Sequence, residues 1–86
     1  MTRQEIETAI RSALAELTGE DIAAIAPEED LGAAIGLDSL GRLELLAEVE
    51  DRFDLFFPDA DSESAGTITG MIDIVTRELA RKEEAA

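Results

Sequence analysis

The chain begins with a complete helix signature. Thr2-Arg3-Gln4-Glu5 has the form of a capping box, in which the Thr2 hydroxyl accepts from the Glu5 amide and the Glu5 carboxylate reaches back. Ile6, Ile10, Leu14 and Leu17 follow at helical spacing, with Ala9 and Ala13 beside them, and Gly19 is placed to end the helix in a left-handed turn. A chain of 86 residues is one small domain near the lower size limit for a self-sufficient core. The 45% of hydrophobic residues supply that core, mostly as Leu, Ile, Ala and Val, which with Pro only at positions 27 and 58 points to helix throughout. The expected fold class is all-α: a four-helix bundle with a short third helix and a long loop between helices one and two. It forms a single domain over residues 1–86, with residues 83–86 frayed.

The long connection covers residues 20–38. Its Ile22, Ile25, Leu31 and Ile35 read as pins that hold it to the core, with a short helical turn expected over residues 21–26. Helix two is expected over residues 39–53 and carries two apolar groups. Leu45, Leu46, Val49 and Phe53 form a stripe assigned to the core, packing with Ile6, Ile10, Leu14, Ile72 and Val75. Leu40, Leu43 and Ala47 form a second stripe, offset around the helix and flanked by Glu44, Glu48 and Asp51. An apolar strip beside acids points to a partner surface; the bland alternative is a helix buried on two sides. Arg42 lies nearer the core stripe, with its head expected to snorkel to solvent. Pro58 ends the segment after Phe56 and Phe57. Residues 59–66 read as an acidic loop with one irregular helical turn. The last helix begins near Thr67 and carries Ile68, Met71, Ile72, Val75 and Leu79.

Charge and missing residue types narrow the chemistry. The net charge is −14, and residues 20–66 hold −12 of it, with Arg42 and Arg52 as the only bases there. Nucleic acid and anionic membranes are repelled by such a surface, and basic protein partners are attracted. There is no cysteine for a disulfide or thiolate site. There is no histidine, the commonest general base. No apolar run approaches the ~18 residues of a membrane span, and the polar start MTRQEIETAI is not a signal peptide. A cytoplasmic monomer is the default expectation. The acidic stretch from Asp59 fails as a calcium loop in both registers: starting at Asp59 puts Gly70 at the closing position, and starting at Asp61 puts Ile72 there. No metal site is expected.

Ser39, in the stretch GLDSLGRLELL, stands where loop turns into helix. A nucleophilic serine needs a base and an oxyanion site, and without histidine or a G-x-S-x-G elbow no catalytic residue is expected. Two readings remain. Asp38 and Ser39 suit a helix cap, and an exposed serine hydroxyl beside unpaired helix-start amides also suits a covalent phosphodiester.

Asp38-Ser39-Leu40, preceded by Gly36-Leu37, resembles the attachment motif of acyl carrier proteins. The stretch LELLAEVEDRFDLFFPD resembles that family's second helix and its exit, TITGMIDIV the start of its last helix, and EEDLG the segment before the attachment site. The resemblance covers nearly the whole chain. It implies that Ser39 carries a covalent 4'-phosphopantetheine arm from coenzyme A, with Asp38 and Leu40 at the attachment site. It implies no catalysis by the chain itself, and a core able to open around an acyl chain. The implied partners are a phosphopantetheinyl transferase and acyl-loading, ketosynthase-like or ligase enzymes with basic surfaces. The resemblance implies contacts at Leu40, Leu43, Glu44, Ala47 and Glu50, of which Glu50 comes from the resemblance alone, and the flanking acids Glu48 and Asp51 complete the expected docking face. The implied role is fatty-acid or polyketide-type biosynthesis. The alternatives are an aminoacyl or peptidyl carrier, of a nonribosomal peptide or D-alanyl-transfer-like pathway, and an unmodified acidic helical adaptor.

The chain departs from that pattern at four places. Gly41 stands for an acidic or larger residue and weakens the helix by up to ~1 kcal/mol relative to Ala. Arg42 adds positive charge. Ala33-Ala34-Ile35-Gly36 lengthens the loop before the serine, and Ala65 stands for a larger apolar residue, which is expected to loosen the third helix.

Overall fold

A computed structural model describes residues 1–85, with side chains described for all of these except 59–61 and 85. The described residues are all-α. Helix α1 spans Arg3–Thr18, α2 Leu31–Ile35, α3 Ser39–Phe53 and α4 Ile68–Ala85, and a 3₁₀ segment spans Asp59–Gly66 between α3 and α4. Three helices are long and one is short. The short third element expected after α3 is the 3₁₀ segment. α4 is helical through Ala85, so it includes most of the stretch expected to fray.

Each long helix forms where its local signals place it. At α1 both halves of the capping box are made: Glu5 N–H donates to Thr2 Oγ1 at 3.1 Å and Thr2 N–H to Glu5 Oε1 at 2.9 Å. Hydrogen bonding of Thr2 to the charged carboxylate holds the Glu5 pKa below its ordinary value, the backbone N–H first and then the side chain. Gly19 closes α1 at φ 73°. At the far end of α3, Asp54 takes the left-handed conformation at φ 53°. Lys82 of α4 supports it there, donating to Asp54 O at 2.8 Å and Asp54 Oδ2 at 3.1 Å.

The core is one cluster. Ile6, Ile10, Ala13 and Leu14 of α1 meet Leu45, Leu46 and Val49 of α3, and Ile68, Met71, Ile72, Ile74 and Val75 of α4. Phe53, Leu17 and Leu79 are partly buried at its edge. Ala65 is fully buried, so this small residue packs the end of the 3₁₀ segment against the core. Gly70 makes the neighbouring contact possible: a Cβ there would collide with the Ser64 carbonyl.

The long connection is strapped down, but not quite as its sequence implies. Ile22, Ile25 and Leu31 are buried pins, whereas Ile35 is only partly buried and Leu37 takes the inner position. Residues 21–26 contain the short turn expected there, closed by Ile25 N–H on Ile22 O at 3.1 Å. The helix of this region is α2, started by Asp30 accepting from Ala33 N–H at 3.2 Å. Backbone carbonyls of the strap are held from both sides. Arg11 of α1 donates to Ile22 O at 2.9 Å, and Thr69 N–H of α4 donates to Pro27 O at 2.9 Å.

Candidate functional site

The start of α3 is built by two successive reversals of role. Gly36 ends α2 at φ 73°, a conformation that favours glycine, and its N–H returns to Gly32 O at 3.0 Å. Leu37 then turns inward and is buried. Asp38 turns outward with extended backbone and caps α3, its Oδ1 accepting from Gly41 N–H at 2.8 Å. Arg42 N–H donates to Asp38 O at 2.9 Å and begins the intrahelical ladder. The cap is therefore Asp38, and Ser39 is the first helical residue.

That division frees the Ser39 hydroxyl. Ser39 is exposed, and among the described residues its side chain makes no hydrogen bond. The amides of the first turn point out of the helix at the same place, where the positive end of the helix dipole lies. An exposed hydroxyl with no internal task, beside donors suited to a phosphate, fits a covalent phosphodiester.

Gly41 also finds its reason here. A Cβ on Gly41 would lie 2.6 Å from Leu37 Cδ1 and 3.3 Å from Asp38 Oδ1. The missing side chain lets Leu37 fold over the first turn into the core while Asp38 reaches the Gly41 amide. The departure at Gly41 thus belongs to the way the residues before Ser39 are fastened.

The second apolar stripe of α3 faces solvent. Leu40 is 63% and Leu43 47% exposed, and Ala47, Glu44 and Asp51 are exposed with them. The reading of a helix buried on two sides does not hold, since the opposite stripe alone enters the core. The acids divide in two. Glu44 and Asp51 bond nothing among the described residues. Glu48 accepts from Arg52 Nε at 3.2 Å, and the same guanidinium reaches Glu16 of α1 at 2.5 Å. Glu50 Oε2 accepts Phe57 N–H at 2.7 Å. Those two carboxylates have internal work that helix spacing does not reveal. Sequence reasoning also passed over Phe56, which is 77% exposed while Phe57 beside it is buried. Two consecutive phenylalanines ahead of a proline could have signalled it, since an extended chain turns neighbours to opposite sides.

Arg42 meets expectation only in part. Its Nε is buried with no hydrogen-bond partner among the described residues, and the guanidinium lies over Gly66. It rests against the end of the 3₁₀ segment with Nε covered, while the Nη groups, unbonded among the described residues, remain open to water. Of the acidic loop tested for calcium, the side chains of Asp59 and Asp61 lie outside the described residues.

The family model described as "Phosphopantetheine attachment site" matches residues 8–75, from the middle of α1 to α4. An acyl carrier protein of Exiguobacterium sp. is 30% identical over 79 residues, covering 92% of this chain and all of the relative. One from Chlorobium phaeovibrioides is 34% identical over 77 residues, covering 90% of this chain and 99% of the relative. One from Cyanidioschyzon merolae is 33% identical over 75 residues, covering 87% of this chain and 82% of the relative. The chain belongs to the acyl carrier protein family. It is a carrier, a substrate for other enzymes and not a catalyst, and its cofactor is covalent 4'-phosphopantetheine. A phosphopantetheinyl transferase and biosynthetic enzymes are the partners such a carrier serves. Among the described residues, no helix is long and apolar enough to cross a membrane.

Proposed function

We propose that Ser39 is the attachment residue and that the carrier presents acyl intermediates for fatty-acid or polyketide-type biosynthesis. The observation that carries this reading is the division of labour at the start of α3. Asp38 supplies the cap, so the exposed Ser39 hydroxyl is left without an internal role. The bound arm supplies a terminal thiol on which acyl groups are held as thioesters. The protein's own contribution is to hold the serine on a rigid helix end and to offer a docking face. In this reading Asp38 and Leu40 flank the modified oxygen. Leu40, Leu43 and Ala47 form the apolar part of the docking face, and Glu44 and Asp51 its open charges. Glu48 and Glu50 border it while bonded within the fold. Basic acyl-loading, ketosynthase-like or ligase enzymes suit such a face. The carrier domain would work as a monomer in the cytoplasm.

The test is intact mass after incubation with coenzyme A and a broad-specificity phosphopantetheinyl transferase. The expected product is a single-arm adduct that disappears in Ser39→Ala. No adduct, or an adduct that survives the substitution, defeats the assignment. Loading the product with acyl-transferring rather than amino-acid-adenylating partners then checks the cargo class.

A further inference from the structure

The chain has 7 basic residues against 21 acidic ones, so a cation here rarely lacks a partner. Arg3 pairs with Asp73, Arg11 with Glu7, Arg52 with Glu16 and Glu48, and Lys82 with Asp54. Arg77 and Arg81 share Glu78. Among the described residues, Arg42 alone bonds no carboxylate. Its Nε is buried and has no acceptor among the described residues. A buried donor without an acceptor opposes folding, and the abundance of acids means that shortage does not explain it.

Its position gives the lack of a partner a meaning. A Cβ on Gly66 would lie 3.8 Å from Arg42 Cζ and 3.9 Å from Nε and Nη2. The guanidinium thus rests on a bare patch of backbone that leaves it room. Arg42 is three residues beyond Ser39, a spacing that puts the two Cβ atoms about 5–6 Å apart on one side of the helix. The Cα–Cβ bond of a helical residue tilts toward the helix N-terminus, so the Arg42 side chain leaves the backbone in the direction of the turn that holds Ser39.

We propose that Arg42 is a positioning residue that binds an oxyanion arriving on the arm at Ser39. The planar fork of arginine pairs with phosphate and carboxylate alike, so the oxyanion is either the phosphodiester at Ser39 or a carboxylate on the cargo. The inference rests on Ser39 being the attachment residue.

The experiment uses the full chain labelled with ¹⁵N, converted by a broad-specificity phosphopantetheinyl transferase. Coenzyme A, malonyl-coenzyme A and butyryl-coenzyme A are used in separate samples. Intact mass comes first: absence of the adduct overturns both the attachment residue and this inference. With the adduct in place, the Arg42 Nε–Hε resonance is compared with that of the unmodified chain. It is expected to shift, and its hydrogen exchange with water to slow severalfold. A change already complete with coenzyme A assigns the phosphodiester. One that appears with the malonyl sample and not with the butyryl sample assigns the cargo carboxylate. A resonance that stays put in all three samples overturns the inference and leaves the attachment residue intact, as does a change confined to the butyryl sample, which reports apolar repacking. In the ³¹P spectrum of the modified chain, the phosphodiester arm predicts a displaced signal in Arg42→Gln that Arg42→Lys partly restores. The comparison within the wild-type chain decides the question even where those variants fold poorly.

Discussion

Glu50 of α3 and Phe57, seven residues on, are joined by a hydrogen bond of 2.7 Å from the Phe57 amide to the Glu50 carboxylate. The bond steers the chain as it leaves the helix, so that Phe57 enters the core and Phe56 faces water. A charge-assisted bond to a partly buried amide contributes about 1.5–3 kcal/mol. Glu50→Ala should therefore lower the unfolding free energy by roughly that amount, and Glu50→Gln, which keeps an acceptor oxygen, by less. Urea denaturation with an unchanged m-value would show it, and equal losses in the two variants would speak against the bond.

At the other end of α3 the neighbours Asp38 and Ser39 should respond oppositely. Asp38→Ala removes the cap and should cost about 1 kcal/mol. Ser39→Ala removes a hydroxyl with no internal bond and should change stability by no more than about 0.5 kcal/mol. Thermal melts of the unmodified chain distinguish them. A large loss from Ser39→Ala would return the capping role to the serine.

Glu44 and Glu48 flank one apolar stripe but differ in what they hold. Glu44→Lys should slow modification and loading by basic partners at low salt, the effect fading as the Debye length shrinks, with the melting temperature nearly unchanged. Glu48→Lys should instead disturb Arg52, which ties α3 to Glu16 of α1, and lower the melting temperature as well. Kinetics over a salt series beside thermal melts read both outcomes. Matching behaviour would contradict the different partners of the two carboxylates.

The capping box at α1 carries a pH signature. The folded-state pKa of Glu5 lies below its ordinary value because the Thr2 amide and hydroxyl hydrogen-bond to the charged carboxylate. A group with a depressed folded pKa contributes stability that is complete above the unfolded pKa and is lost as pH falls through the folded one. The gap in melting temperature between the wild-type chain and Glu5→Gln should therefore be largest near neutral pH and close in acid. A gap that stays constant down to acid pH would remove the carboxylate from the box.

Much of this architecture can be read in the sequence because its signals are local. Thr2 and Glu5 lie within one turn, Gly19 follows the last periodic residue, and the apolar stripe of α3 recurs at helical spacing. These features predict the long helices closely. The site was legible to the same extent: the offset stripe of Leu40, Leu43 and Ala47 does face water, and Ser39 does open the helix. What escaped depends on contacts between distant residues. Nothing near Gly41 announces that Leu37 will lie over it. The burial of Ala65 and the resting place of Arg42 depend on how the 3₁₀ segment meets α3 and α4. Glu48 and Glu50 resemble their exposed neighbours until Arg52 and the Phe57 amide come into place. The connection misled most, since Ile35 and Leu37 are two residues apart with a helix end between them, and only the left-handed turn at Gly36 decides which is buried.

The bond between the Thr69 amide and the Pro27 carbonyl has a mechanical result. It closes a hoop of chain, and α2, Ser39, all of α3 and the 3₁₀ segment lie on its circumference. A tug on the serine meets buried residues whichever way it travels along that hoop, Leu31 and Leu37 on one side and Leu45 and Leu46 on the other. Any cargo swung from Ser39 would hang from a stiff mount, and the freedom to visit successive enzymes would reside in the tether.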